Sequence, residues 1–353
     1  MRIGVICPVW FPVPPEAYGG IERVVALLVD GLVDEGHDVT LFASGDSETR
    51  AELESVFPNA PSEWIGHTFW ELQHAVHAFT RADEFDVVHD HTGLLGLALG
   101  GLLDVPFCHT VHGPLTGVPG RLYDQVTSLA PNTKLISISR NQRRPRQDLP
   151  WIANCPNALD LSVYPFRRRS GGDYLLFLGR MSPDKGAHRA VAVALETGLP
   201  LKIAAKCREP LEQRYFSELI RPHLCESIEY VGEVGHAEKV ELLMGARALI
   251  NPIGWEEPFG LVVIEAMACG TPVISTRRGA IPEIVEHGRT GVLVGGYREM
   301  EEEAVLELAD SLDPFVLRRE VEERFSQEHM VANYVDAYEA TIASSSLIES
   351  VAA

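Results

Sequence analysis

The chain has no uninterrupted apolar run of about 18 residues, so no membrane-spanning helix is expected. Its N-terminus, MRIGVICPVW, is interrupted by Pro8, Pro12, Pro14 and Pro15 before any apolar stretch reaches the length of a secretory leader. Cysteine is sparse. Cys7, Cys108, Cys155, Cys207, Cys225 and Cys269 show neither C-x-x-C nor zinc-ligand spacing, and most fall in apolar runs, which reads as reduced core thiols. No G-x-G-x-x-G is present, which removes the dinucleotide fingerprint. Positive charge is also in deficit, with 30 Lys and Arg against 50 Asp and Glu and a net charge of -20. That balance repels nucleic acid and anionic bilayers at long range, leaving local basic patches and peripheral membrane contact as the open exceptions. The expectation from these absences is a cytoplasmic chain with neither a nucleic-acid partner nor a transmembrane segment.

What is present is ordinary globular composition, 46% hydrophobic and 23% charged, over 353 residues. That length exceeds one comfortable core and implies two domains. Strand and helix patterns alternate from the start: strands at 3–6, 39–43, 87–89, 107–111 and 135–139, with helices at 20–35, 70–82 and 94–103. A second series repeats the architecture. Its strands fall at 174–178, 201–205, 228–231, 248–251 and 272–275, and its helices at 186–197, 211–223, 237–245 and 261–268. The expected fold class is α/β, two doubly wound Rossmann-like domains. Residues 160–173, with Pro165, a basic run from Arg167 to Arg169 and a Gly-Gly pair, have linker composition. The expected domains are 1–165, 166–325 and a closing helical pattern from 326 to about 342, with 344–353 frayed.

The densest chemical signal runs from Trp255 to Ser275, WEEPFGLVVIEAMACGTPVIS. Pro258 and Gly260 favour a turn, 261–268 reads as a short helix, and Gly270 sits where a left-handed C-terminal residue belongs. Glu257 precedes the helix and Glu265 lies within it. An isolated pair of glutamates is most often solvated, but PFGLVVI between them is too apolar for an exposed face, and a Glu inside such a segment needs a partner. The turn also presents free N–H groups at the positive end of a helix, suited to a diphosphate and sugar hydroxyls.

EPFGLVVIEAMACGTPVI resembles the E-x7-E signature of the retaining glycosyltransferases of family 4, with Glu257 and Glu265 matching its glutamates and Glu256 one residue out of register. The resemblance implies the GT-B fold, two Rossmann-like domains facing across a cleft. The first would bind the acceptor and the second a nucleotide-sugar donor, with the terminal helix crossing back to the first. It also implies roles. GRMSPDKG looks like the element whose Arg and Lys, here Arg180 and Lys185, bind the donor diphosphate, where a departing oxygen gathers negative charge. The backbone of Phe259, Gly260 and Leu261 with Glu257 would orient the donor sugar, and Glu265 would hold the ribose. Gly19 and Gly20, at the mouth of the first helix, match a loop that approaches the donor phosphate, although a Gly-Gly pair alone is commonly only a turn. His112 matches the histidine near the transferred sugar.

Two further features are read from the residues alone, and a third from the resemblance. HDH, holding His89, Asp90 and His91, lacks the further ligands that a metal site needs, so His91 is assigned to the acceptor side and His109 and Asp90 to structure. The basic stretch RNQRRPR is either a solvated loop or a neutralising border for a charged acceptor, with Arg143 and Arg144 as the residues concerned. In PNALD, Ala158 stands where the family usually has Gly, which puts a special backbone angle there in question.

The function expected is transfer of a hexose-type sugar from a UDP- or GDP-sugar to an unidentified acceptor hydroxyl, with retention and with neither cofactor nor metal. The alternatives are a nucleotide-sugar epimerase and a non-catalytic sugar-binding protein.

Overall fold

The structure is a computed structural model that describes residues 1–130, 132–168 and 171–352, with the backbone alone for 346–352. Packing divides the chain into two units, one holding Met1–Ala158 and the C-terminal stretch from Gln327, the other Leu159–Ser326.

In the first unit the strands are β1 (Arg2–Ile6), β2 (Asp38–Phe42), β3 (Glu52–Glu54), β4 (Val87–Asp90), β5 (Phe107–Val111), β6 (Lys134–Ser137) and β7 (Trp151–Asn154). They form one seven-stranded sheet in the order β3-β2-β1-β4-β5-β6-β7, every pair parallel. The helices are α1 (Gly20–Asp34), α2 (Thr68–Phe79), α3 (Leu94–Gly100), α4 (Val118–Leu129), α5 (Arg140–Arg143) and, from the chain's end, a long helix Gln327–Ala352. Central strands such as VVHD and FCHTV are buried at every position because helices cover both faces of a parallel sheet. Helix α1 buries Val24, Val25, Leu28 and Leu32, and Gly31 lets Val331 of the terminal helix come close.

The second unit contains β8 (Tyr174–Arg180), β9 (Leu201–Lys206), β10 (Ile228–Gly232), β11 (Ala246–Asn251), β12 (Val273–Thr276) and β13 (Val292–Val294) in the order β10-β9-β8-β11-β12-β13. Its helices are α6 (Ala187–Thr197), α7 (Pro210–Leu219), α8 (His236–Gly245), α9 (Leu261–Ala268), α10 (Ile281–Ile284), α11 (Glu303–Asp310) and α12 (Pro314–Arg324), so the terminal helix is α13. The core is built from Leu175, Phe177, Val191, Ile203, Ile250 and Ile274.

Both sheets have the doubly wound α/β pattern expected. The packing boundary lies before Leu159, upstream of the 165/166 boundary drawn from composition, because Leu159 N–H donates to Phe325 O at 3.0 Å and Tyr164 is buried beside Glu265. Arg169 of the linker reading lies outside the described residues. Residues 344–352, expected to fray, continue α13 as helix, and Ala353 lies outside the described residues. Ala158 has ordinary backbone angles, since every described residue with positive φ is a glycine. Of the cysteines, Cys7, Cys108, Cys155 and Cys269 are buried thiols, while Cys207 is half-buried and Cys225 exposed.

A Cβ at Gly31 would stand 2.5 Å from Val331 Cγ2, so Gly31→Leu must separate α1 from α13. The expected cost is about 1–3 kcal/mol, read as a lower urea midpoint. An unchanged midpoint would contradict this packing.

Candidate active site

β8 ends on Arg180, the loop after it carries Lys185, and the segment before α9 carries Glu257. Lys185 Nζ forms an ion pair with Glu257 Oε2, which also accepts a hydrogen bond from Trp255 Nε1–H at 2.9 Å. The ammonium stands 5.1 Å from the centre of the Trp255 ring, so its second neighbour is an electron-rich face. Glu257 is 8% exposed, and a carboxylate so far out of water needs such partners. Arg180 reaches Asp184 of that loop at 3.3 Å and keeps 40% of its side chain exposed.

The backbone of Glu257 is clamped from behind. Ala280 N–H donates to its carbonyl at 2.8 Å, and a Cβ at Gly279, where φ is 57°, would lie 2.2 Å from its N and O. Glu256 does not share the role: it accepts from Gly279 N–H at 2.9 Å and lies 3.7 Å from Arg278. Gly260 caps α9 with φ 106°, Leu261 opens the helix, and the Phe259 ring turns inward against Phe325 at 5.7 Å.

Glu265 is held by a second pair. It lies within α9, 4% exposed, where it meets the Lys239 ammonium of α8 and accepts from Tyr164 Oη–H at 2.8 Å. The four groups singled out from the sequence therefore divide into a direct Lys185–Glu257 contact, an adjacent Arg180, and a separately partnered Glu265. Lys239, Tyr164, Trp255 and Asp184 were not assigned from the sequence. The one general signal for them was that a Glu inside an apolar helix needs a partner.

In the first unit the histidines at the ends of β4 and β5 form a buried network. His112 Nε2 is 2.9 Å from His91 Nδ1, and His91 Nε2 is 3.2 Å from His89 Nδ1. His89 Nδ1 is also 2.7 Å from Tyr338 Oη of α13, while its Nε2 is 2.8 Å from Thr110 Oγ1. Burial pushes His89 and His91 well below the ordinary imidazole range and His112 down to about 3. His91, assigned to the acceptor side, is fully buried with both ring nitrogens occupied, so it presents no open ring nitrogen to an acceptor. His109 Nδ1–H donates to Asp90 at 2.6 Å and its Nε2 meets Tyr123 Oη at 3.2 Å, a latch between β4, β5 and α4.

The basic stretch is mostly structural. Arg143 donates to Ser137 Oγ at 2.6 Å and to the Ala153 carbonyl and lies over the Trp151 ring, which ties β6 to β7. Arg144 is exposed. Gly19 and Gly20 open α1, and Glu22 folds back over them: its Oε2 would be 3.0 Å from a Cβ on Gly19. Burial raises the Glu22 carboxyl to about 7.

Most of the chain matches known proteins. Residues 18–152 match the family described as Glycosyltransferase Family 4, and residues 165–328 match Glycosyl transferases group 1. The chain is 30% identical to the glycogen synthase of Mycobacterium tuberculosis, covering 79% of both. It is 26% identical to the D-inositol 3-phosphate glycosyltransferase of an Arthrobacter species, over 82% of this chain and 81% of the other. Among solved structures it is similar to a glycosyltransferase involved in avilamycin A biosynthesis, with TM-score 0.72, 28% identity and coverage of 97% and 98%. The sucrose-phosphate synthase of Thermosynechococcus elongatus shares the fold, with TM-score 0.81 at 20% identity over 98% and 100%. No described helix is long and apolar enough to cross a membrane.

The Glu22 carboxyl sets a pH dependence. Its folded value of about 7 exceeds the reference 4.5, so the folded state holds the proton more tightly and stability falls as pH rises between those values. Glu22→Gln removes this loss. The variant should gain stability over the parent above pH 7, by a few kcal/mol at most at about 1.4 kcal/mol per pKa unit, and lose that advantage near pH 4.5. Parallel urea midpoints across that range would contradict it.

Proposed function

The chain belongs to the family 4 glycosyltransferases, and within that family we propose that it moves a hexose-type sugar from a UDP- or GDP-linked donor to an acceptor hydroxyl with retention at the anomeric carbon. The observation that carries this reading is the Lys185–Glu257–Trp255 cluster beside the Gly260 turn. It puts one cation and one carboxylate, both largely desolvated, next to helix N–H groups that no helix bond uses.

In this mechanism Arg180 and Lys185 take up the negative charge of the departing diphosphate, where fixed cations contribute most. Glu257 releases Lys185 to the phosphate and accepts from sugar hydroxyls, while Glu265 exchanges Tyr164 or Lys239 for the ribose hydroxyls. The resemblance assigns His112 to the transferred sugar, and a histidine kept neutral does not oppose positive charge developing at the anomeric carbon. The bond from that carbon to the diphosphate oxygen breaks as the acceptor oxygen bonds on the same face, and the acceptor's proton passes to the departing phosphate. No side-chain nucleophile takes part. The acceptor belongs to whichever hydroxyl compound fits the first unit.

Incubation with UDP- and GDP-hexoses and candidate acceptors should release free nucleoside diphosphate and a glycoside with the donor's anomeric configuration. Lys185→Met should lower turnover by about 100-fold or more. Excess chelator should leave it unchanged. An isomerised donor, an inverted product, or complete loss of turnover with chelator would overturn this reading.

A further inference from the structure

Among the described residues, most of the large apolar side chains that the first unit exposes lie on one side of its sheet. Strands β3, β4, β5 and β6 follow one another in the same direction across the sheet, so right-handed crossovers place α2, α3 and α4 together on one face. The three helices pack side by side, α2 against α3 and α3 against α4. Each turns a second apolar stripe outward. On α2, His74, Ala75 and Ala78 face inward, while Phe69, Leu72 and Val76, spaced by three and four residues, are exposed. On α4, Gly120 and Tyr123 are buried, and Val118, Leu122 and Leu129 form the exposed stripe. Between them α3 reads LLGLALG, without one polar side chain. A helix apolar all round is normally covered on every side, yet Leu94, Leu95 and Leu99 are only half-buried and Leu102, just past its end, is 70% exposed.

The exposed parts of these side chains amount to roughly 700 Å², more than the about 300–600 Å² of the largest patch on a typical monomer and close to the about 800 Å² that each partner gives to a standard interface. Charge decides what can cover such a layer. Residues 55–133 contain two arginines and no lysine. Arg81 is paired with Glu54 and Glu84, and Arg121 is the one Lys or Arg within the three helices. Their carboxylates are Glu71, half-buried, and Asp124, which Arg146 holds at 2.7 Å. An anionic bilayer needs a cluster of cations and a basic protein needs a cluster of free carboxylates; the layer offers neither.

A second copy of the chain needs neither. In a two-fold contact the face meets itself, so apolar stripes pack on apolar stripes. The polar side chains set within the stripes, Gln73 and Gln125, are exposed amides that both donate and accept, so each can pair with its own copy. We propose that the layer of α2, α3 and α4 is the interface of a homodimer. Each chain carries a net charge of -20, so two copies repel at long range and attract only through the apolar contact; added salt therefore strengthens the dimer.

Sedimentation velocity of the whole chain at about 50 mM and about 500 mM salt is the test. The expected result is a dimer at about 10 µM chain that tightens at the higher salt. Phe69→Glu and Leu129→Glu, on separate helices, should each raise the dimer Kd about 30-fold or more with the circular dichroism spectrum unchanged, since each sets a charge in an apolar contact. Leu211→Glu, at an 81% exposed leucine of the second unit, should leave the dimer intact. If a glutamate variant unfolds, the wild type alone gives the reading: amide exchange in α2, α3 and α4 should slow as chain concentration rises through the Kd. A wild-type monomer at both salts, a dimer that both Phe69→Glu and Leu129→Glu leave at wild-type strength, one that Leu211→Glu also breaks, or a monomer that sediments with phosphatidylcholine vesicles would overturn the inference. No donor or acceptor enters the measurement, so its outcome is separate from that of the proposed transfer reaction.

Discussion

A carboxylate withdrawn from water must keep a cation or a set of donors beside it, and that constraint organises the second unit. Glu257 and Glu265 are nearly inaccessible, and each is matched by a lysine and by an aromatic donor, Trp255 for one and Tyr164 for the other. Desolvating either charge alone costs several kcal/mol, so neither lysine can be lost without leaving a buried charge uncompensated. The same pairing suits the proposed chemistry. A diphosphate arriving at Lys185 takes over the cation, Glu257 turns to hydroxyls, and the site exchanges one set of charge-assisted contacts for another without first ordering new side chains.

The first unit meets burial differently. Its histidines are neutral, stacked and hydrogen-bonded in series, with His89 and His91 rings 4.0 Å apart and His91 and His112 rings 5.2 Å apart. A neutral imidazole beside a sugar adds no cation that would oppose an electron-poor anomeric carbon. In the proposed reaction the charged side chains meet the leaving group, and the histidines contribute no charge. The tyrosines of α13 bind this network into the sheet, since Tyr334 and Tyr338 are fully buried against β4 and β5.

What could be read from the sequence follows from how local each signal is. Central parallel strands announce themselves as apolar runs, and β5 and α9 agree to the residue with the expected ranges. Edge strands do not: β3 is the three-residue segment ELE, and β7 is WIAN between two prolines, neither with the length or composition of a buried strand. Helix α4 was missed because Gly117, Pro119 and Gly120 mask its start. Glu257 and Glu265 stood out because of the apolar helix around them, but their partners did not. Tyr164 lies 101 residues from Glu265, and a pairing at that distance leaves no local trace. His91 looked available because it follows a strand; the tyrosines of α13 that enclose it come from the far end of the chain.

The division of labour between the two carboxylates can be tested by isothermal titration of Glu257→Gln and Glu265→Gln with a nucleoside diphosphate and with the corresponding nucleotide sugar. If Glu265 holds the ribose and Glu257 the sugar, Glu265→Gln weakens both ligands alike. Glu257→Gln weakens the nucleotide sugar far more than the free diphosphate. Equal losses for both ligands in both variants, or no loss in either, would contradict the account.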